Sequence, residues 1–94
     1  MKRQNEIYIE PTRILKALAH PVRIQLLQRL MKSDCCVSEV EKCLGISQPN
    51  VSQHLKLLKE AGIVATSRQK TKICYRIVDE RVRDILKLIL EGDH

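Results

Sequence analysis

One segment decides the fold, and it runs from Val37 to Val64: VSEVEKCLGISQPNVSQHLKLLKEAGIV. Its pattern predicts two short helices separated by a break at Gly45, the second of which begins at Ser47 and is more polar. Glycine tolerates the left-handed conformation in which many helices end, and serine is a preferred residue at a helix start. Two helices joined by so short a turn are typical of a helix-turn-helix, whose second helix enters the major groove of DNA.

The second helix of this pair has an apolar face and a polar face. At about 100° per residue, Val51, Leu55 and Leu58 lie on one side. The candidate DNA-contacting residues of this helix are Ser47, Gln48, Asn50, Ser52, Gln53, His54 and Lys56. Amide side chains read adenine with two hydrogen bonds, and lysine reaches guanine or phosphate. A polar surface with no task is the alternative, and the preceding turn favours DNA contact.

Three of these residues have other roles open to them. Asn50 and the N–H groups near Ser47 are better placed for phosphate than for bases. His54 lies beside the apolar stripe. A histidine that packs inside the protein or touches phosphate is therefore an equal alternative to base readout.

Two short strands follow, Ile63 to Ser67 and Ile73 to Val78, because apolar and polar residues alternate there. The loop between them is basic, and its candidate DNA-contacting residues are Arg68, Lys70 and Lys72. A hairpin tip beside such a helix favours phosphate or minor-groove contact. The alternative is a solvated turn.

The remaining elements complete the predicted architecture. Pro11 suits the first turn of a first helix, the His20–Pro21 pair ends it, and a second helix follows. The last helix runs from about Asp79 to Leu90. The order α-α-α-α-β-β-α predicts a mainly α fold with a two-stranded β-wing, a single winged helix-turn-helix domain over residues 1–94. The last helix has more apolar surface than one domain can bury, which favours a homodimer.

The composition narrows the class of partner. The chain carries 17 Lys plus Arg against 11 Asp plus Glu, and this net charge of +6 suits a polyanion. With two Tyr, no Phe and no Trp, it lacks the aromatic platforms on which single-stranded bases stack. No apolar run approaches the roughly 18 residues of a membrane span, and the N-terminus is charged and lacks the apolar region of a signal peptide. We therefore expect a cytoplasmic protein that binds double-stranded DNA and no membrane.

Cys36 is the cysteine with the clearest chemistry. It stands where the third predicted helix begins, and Glu39 follows three residues later as in a capping box. A thiol at a helix N-terminus faces unpaired N–H groups, which stabilise the thiolate. Thiolates bind soft metals and react with oxidants or persulfides. The alternative is that Cys36 only replaces a serine cap.

The other cysteines leave several interpretations open. Cys35 adds a second sulfur beside Cys36, although adjacent cysteines rarely close a relaxed disulfide. Cys43 falls on the inner side of the third predicted helix and suits a small buried hydrophobe. Cys74 is expected on the outer face of the wing, as an exposed thiol or as a distant partner for Cys35 or Cys36.

With these residues in this order, the chain resembles the ArsR/SmtB family of winged helix-turn-helix repressors. The resemblance rests on the segments Ala17 to Leu27, Gly45 to Leu58, Ala61 to Val64 and Cys74 to Ile77. It implies a homodimer joined through the first and last helices, a palindromic operator, and repression that an inducer relieves. The interface residues it implies are Ile14, Leu18, Ile85, Leu86 and Ile89.

Many members of this family sense a thiophilic or borderline metal. In the arsenic and cadmium sensors three cysteines begin the third helix; here the first position is Cys36, but the others are Ser38 and Glu41. In the zinc sensors the last helix carries an Asp-x-His pair. Asp79 matches its aspartate, but Arg81 replaces the histidine. The resemblance therefore implies at most a thiophilic metal or metalloid ion at the cysteines.

These observations predict a sequence-specific DNA-binding transcriptional repressor, released from DNA when Cys35 and Cys36 bind a soft metal or metalloid such as arsenite, or react with an oxidant or persulfide. One alternative is a winged-helix regulator with no cysteine-based sensing. Another is a winged-helix protein-interaction module, against which the polar, basic outer face of the helix from Ser47 argues. An enzyme finds no support, because no recognisable set of nucleophile, base and orienting carboxylate is present.

Overall fold

The computed structural model describes residues 2–32, 35–36, 42 and 45–91. The mainly α fold with an antiparallel two-stranded wing is confirmed. The elements in chain order are α1 (Lys2–Leu18), α2 (Pro21–Lys32), β1 (Cys35–Cys36), α3 (Gln48–Glu60), β2 (Val64–Gln69), β3 (Lys72–Ile77) and α4 (Glu80–Glu91). The predicted third helix was expected to begin at Cys36 and end near Gly45. Of this stretch the structure describes Cys36, which lies in β1, Lys42, which is helical, and Gly45; the rest lies outside the described residues.

The wing is the hairpin of β2 and β3. The two strands pair antiparallel from Val64 opposite Ile77 to Gln69 opposite Lys72. The predicted basic loop is therefore shorter than expected, because only Lys70 and Thr71 connect the strands. Lys70 adopts a φ of +59°, the sign that a type II′ turn requires at its first central residue.

A third strand, β1, joins this sheet and was not predicted from the sequence. The strand order is β1-β3-β2, so β3 is central and β1 forms an edge. Cys35 pairs with Tyr75, and Cys36 pairs with Cys74. A strand of two residues is too short to show an alternating pattern, so nothing in the sequence distinguished it from a loop.

The core lies where the helices meet the sheet. On α3, Val51, Leu55 and Leu58 are fully buried, as the helical wheel predicted. Each such side chain contributes about 1.5–3 kcal/mol by leaving water. Within the part of the chain whose burial is described, the other completely inaccessible residues are Leu26, Leu27, Ile63, Val82 and Leu86. The inner face of α3 is therefore held rigidly, and its opposite face is left free.

The first helix begins earlier than expected. It starts at Lys2 and contains Pro11 in its interior, so the prediction that Pro11 lies in the first turn was wrong. Ile7, Tyr8 and Ile9 are each at least 60% exposed. Because these apolar side chains stay largely exposed, no buried apolar stripe marks this segment as a helix in the sequence.

The last helix begins with a side-chain cap. Asp79 Oδ1 accepts the backbone N–H of Arg81 at 2.9 Å, which satisfies one of the free N–H groups of the first turn. Among the described residues, no helix is long and apolar enough to cross a membrane.

Candidate nucleic-acid interface

The outer face of α3 presents polar side chains to solvent. Asn50, Gln53 and Lys56 are exposed, and Ser52 is half-buried. Since the opposite face is packed into the core, these side chains project from a helix that is fixed in the domain. The backbone of Gln48 begins α3; its side chain lies outside what the structure describes.

The start of α3 is open to an anion. Ser47 is the N-cap in extended conformation, as predicted, but its side chain makes no capping hydrogen bond. Pro49 in the first turn has no N–H to satisfy. The remaining N–H groups of a first helical turn lack acceptors within the helix and carry the positive end of its dipole. This end of α3 suits a phosphate group.

The tip of the wing adds positive charge. Arg68, Lys70 and Lys72 are all exposed. Arg68 and Lys72 lie in the strands, and Lys70 lies in the turn between them. The described part of the chain therefore presents two surfaces that suit duplex DNA: a helix face with amide and basic groups, and a basic hairpin tip.

His54 is oriented differently from its neighbours on α3. Its ring lies 4.5 Å from the ring of His20, centroid to centroid, and its Nδ1 is 3.4 Å from the Nη1 of Arg23. Because a guanidinium only donates, His54 Nδ1 accepts, and the neutral ring carries its proton on Nε2. Burial lowers the pKa of His54 below its usual 6.5, and the nearby His20 and Arg23 lower it further. Its contacts are thus inside the protein.

Two arginines that sequence reasoning missed bind carbonyl oxygens at the ends of helices. Arg13 on α1 donates to the carbonyl oxygen of Ala61, the C-cap of α3, at 2.8 Å. Arg23 on α2 donates through Nε to the carbonyl oxygen of Ala17 near the end of α1, at 2.6 Å. Both satisfy carbonyls at helix C-termini, where positive charge is favourable. The partners are 48 and 6 residues away in sequence, so no local pattern marked them.

The residues expected at a subunit interface separate into two groups. Ile14, Leu18 and Leu86 are buried within the single chain, at most 5% exposed, and have almost no surface left for a partner. These three side chains pack in the core of the chain, so their direct contact with a partner stays a prediction. Ile85 is half-buried and packs against the core. Ile89 is 64% exposed and is available.

The structure describes the side chain of one cysteine, Cys74, and its burial differs from expectation. It is 5% exposed and carries a free thiol. Of the two interpretations that the sequence left open, the exposed thiol was therefore wrong, and a distant partner for Cys35 or Cys36 stays a prediction. Cys35 and Cys36 lie in β1, and their side chains are outside the description, as is Cys43.

A metal site at the start of α4 does not fit the structure. Asp79 Oδ2 lies 2.9 Å from Arg81 Nη2, and this hydrogen-bonded guanidinium holds the pKa of the Asp79 carboxyl below its usual value. The carboxylate already has a cation as its partner. Among the described residues, no group of three or more His, Cys, Asp or Glu is arranged to hold a metal ion.

The chain is similar in sequence to bacterial transcriptional regulators. The family model described as bacterial regulatory protein, arsR family, matches residues 20–66, which include α2 and α3. The biofilm growth-associated repressor of Xylella fastidiosa is 38% identical over 88 residues, covering 94% of this chain and 74% of that repressor. The HTH-type transcriptional repressor SmtB of Mycobacterium tuberculosis is 44% identical over 73 residues, covering 78% of this chain and 54% of SmtB.

The fold is also shared with solved structures. A homodimeric winged helix-turn-helix DNA-binding domain from Mycobacterium bovis superimposes with a TM-score of 0.86 at 29% identity, covering 96% of this chain and 83% of that one. The sequence similarity and the shared fold therefore both agree with α3 and the wing as parts of a winged helix-turn-helix. The chain belongs to the arsR family of bacterial regulatory proteins, the DNA-binding winged helix-turn-helix transcriptional repressors, whose members are not enzymes.

Proposed function

We propose that this protein binds a palindromic DNA operator as a homodimer and represses transcription from it. The observation that carries the proposal is the division of α3 into a fully buried inner face and an outer face with exposed Asn50, Gln53 and Lys56. The proposed set of DNA-contacting residues also includes Ser47, Gln48, Ser52, Arg68, Lys70 and Lys72. His54 has internal partners and is left out of the set.

Each surface has a different task in the proposed complex. Gln53 and Lys56 read base edges in the major groove. The start of α3 and the wing tip bind phosphate, which sets the register of α3 without reading sequence. A protein-interaction module is the competing proposal. It would present an apolar face, whereas the outer side of α3 is polar and basic.

Exposed apolar surface supports the homodimer. Leu88 and Ile89 on α4 are 75% and 64% exposed, and Ile7, Tyr8 and Ile9 on α1 are 60–63% exposed. Exposed apolar residues grouped in this way mark protein–protein contacts. The Mycobacterium bovis domain with this fold is homodimeric. A palindrome would follow from the two-fold symmetry of such a dimer, with half-sites about one helical turn apart.

The regulation we propose is thiol chemistry at Cys35 and Cys36. Thiolates bind soft metals and metalloids and react with oxidants and persulfides, and β1 lies between α2 and the segment that precedes α3. An inducer needs to prefer the DNA-incompetent state by only a few kcal/mol to empty an operator. A regulator of the same fold without cysteine-based sensing is the alternative.

Selection of binding sites from a pool of random duplexes tests the proposal. The reduced protein should enrich one inverted repeat, and its affinity for that repeat should fall steeply with salt because the contacts include several phosphates. Enrichment of no sequence, with weak binding to every duplex, would favour the protein-interaction module. Enrichment of a single half-site would contradict the homodimer but not sequence-specific DNA binding.

A further inference from the structure

The sheet places two cysteines opposite one another. In the antiparallel pairing of β1 with β3, position 36 is the partner of Cys74, and position 35 is the partner of Tyr75. β1 is the edge strand, and β3 is the central strand. Cys36 and Cys74 are 38 positions apart in the sequence, so the tertiary structure alone brings them together.

The register suits a disulfide between these positions. Directly opposed residues of an antiparallel pair have Cα atoms about 4.5–5.5 Å apart and share a face of the sheet. A relaxed disulfide accepts Cα separations of about 4.4–6.8 Å. The bond can therefore form with only a small local adjustment of the two strands. Successive residues alternate between faces, so the register selects Cys36 and excludes Cys35 as the partner of Cys74.

The environment of Cys74 gives the two thiols different roles. Cys74 is 5% exposed, so its thiol is buried. Burial shields this thiol from direct attack by a dissolved oxidant. If a cysteine on the neighbouring strand is oxidised first, the buried Cys74 thiol can still react with the oxidised sulfur of that cysteine.

We propose that Cys36 and Cys74 are a redox pair, which hydrogen peroxide closes into a cross-strand disulfide, and that closure lowers the affinity for DNA. The Cys36 thiolate attacks the peroxide O–O bond, giving a sulfenic acid and, after protonation, one water. The Cys74 thiol then attacks that sulfur, and the S–S bond forms as the sulfenic oxygen leaves as a second water. Two thiols lose two electrons and two protons, and one peroxide becomes two waters. The effect on DNA rests on the function proposed above; the disulfide itself does not.

Closure would change the DNA-binding surface through the backbone. Opposed Cβ atoms in a sheet lie about 4.5–5.5 Å apart, whereas those of a disulfide lie about 3.8 Å apart. The strands are therefore drawn together by about 1 Å at this position. β3 continues to the basic wing tip, and the chain after β1 leads to α3. In a dimer, a small rotation of each wing and α3 disturbs the match of both half-sites.

Peptide mapping of the peroxide-treated protein tests the bond. Trypsin cuts after Lys32, Lys42, Lys72 and Arg76, so residues 33–42 carry Cys35 and Cys36, residues 73–76 carry Cys74, and Cys43 falls in a separate peptide. We expect non-reducing mass spectrometry to find 33–42 joined to 73–76 within one chain. The link should persist in Cys35→Ser and Cys43→Ser and disappear in Cys36→Ser and Cys74→Ser. A link that persists in Cys36→Ser, or that joins two chains, overturns the proposal.

DNA binding of the same samples tests the consequence. The oxidised wild type should bind the selected duplex about tenfold more weakly or worse, a typical allosteric coupling, and dithiothreitol should restore the affinity. Cys74→Ser should keep its affinity in peroxide. A wild type that forms the disulfide and binds equally well overturns the regulatory role. If the reduced protein selects no duplex but the disulfide forms, the function proposed above has failed, and the redox pair stands on the mapping.

Discussion

At the scale of single residues, the wing tip shows how one position serves two purposes. Lys70 has a φ of +59°, a left-handed conformation that costs a residue with a Cβ atom about 1 kcal/mol or more. Glycine would occupy this turn without that cost. A lysine here gives up stability and places a positive charge at the outermost point of the hairpin, as a phosphate-contacting residue would require.

Replacing Lys70 separates these two effects. Lys70→Gly should raise the free energy of unfolding by about 1 kcal/mol, because the turn is relieved. It should also lower the slope of log affinity against log salt by about 0.9, because one phosphate contact is lost. Lys70→Arg is the control, since it keeps the charge and the strained turn. A salt slope unchanged in Lys70→Gly would mean that the tip is only solvated.

The outer face of α3 and the position of Ser47 could be predicted from the sequence, because the periodicity of a helix shows within a few residues. The orientation of the His54 side chain could not be predicted. Its position beside the apolar stripe left both orientations open, and the choice depends on His20 and Arg23, which lie 34 and 31 residues earlier in the chain. Contacts of that kind become visible only when the chain is folded.

At the scale of elements, α3 is held by contacts with both preceding helices. Arg13 ties its C-terminus to α1, and the ring of His54 packs on His20 beside Arg23. The sequence predicts that these helices exist, because each has an apolar stripe. It does not predict β1, which is two residues long, or the start of α1, whose exposed residues show no such stripe.

The histidine contact makes stability depend on pH. The folded pKa of His54 lies below 6.5, so the unfolded chain binds the proton more readily. The stabilising contribution is fully present above pH 6.5 and is lost as the pH falls from there through the folded pKa. We expect urea unfolding between about pH 7 and pH 5 to show a loss of stability in the wild type that is smaller in His54→Gln. Equal losses in the two proteins would exclude His54 as the cause.

At the scale of the whole molecule, the most exposed of the large apolar side chains that the structure describes lie at two places. These are Ile7, Tyr8 and Ile9 on α1, and Leu88 and Ile89 on α4. A chain of 94 residues buries a comparatively small share of its surface, so a second copy adds useful burial. The surplus of apolar residues in the last helix was visible in the sequence. Which of them would face a partner was not, because Leu86 and Ile89 belong to the same stripe and only the folded chain separates them.

The position of Ile89 gives a test of the dimer. Ile89→Lys places a charge on exposed apolar surface, so it should leave the fold intact and convert the dimer to monomer. Val78→Lys is a matched control, because Val78 is also exposed, at 49%, but lies outside both apolar surfaces. Sedimentation equilibrium at about micromolar concentration should find a monomer for the first variant and a dimer for the second. A wild-type protein that is monomeric in this measurement would contradict the proposed homodimer.

The central claim is that the exposed face of α3 reads DNA sequence, and Gln53→Ala tests it most directly. Gln53 is exposed on α3, and Gln25, exposed on α2, provides the control Gln25→Ala. We predict that Gln53→Ala weakens binding to the selected duplex by about 1–3 kcal/mol, the value of a bidentate base contact, and leaves binding to random duplex unchanged. Fluorescence anisotropy titration of both duplexes measures this difference. Equal affinity of wild type and Gln53→Ala for the selected duplex would contradict the claim.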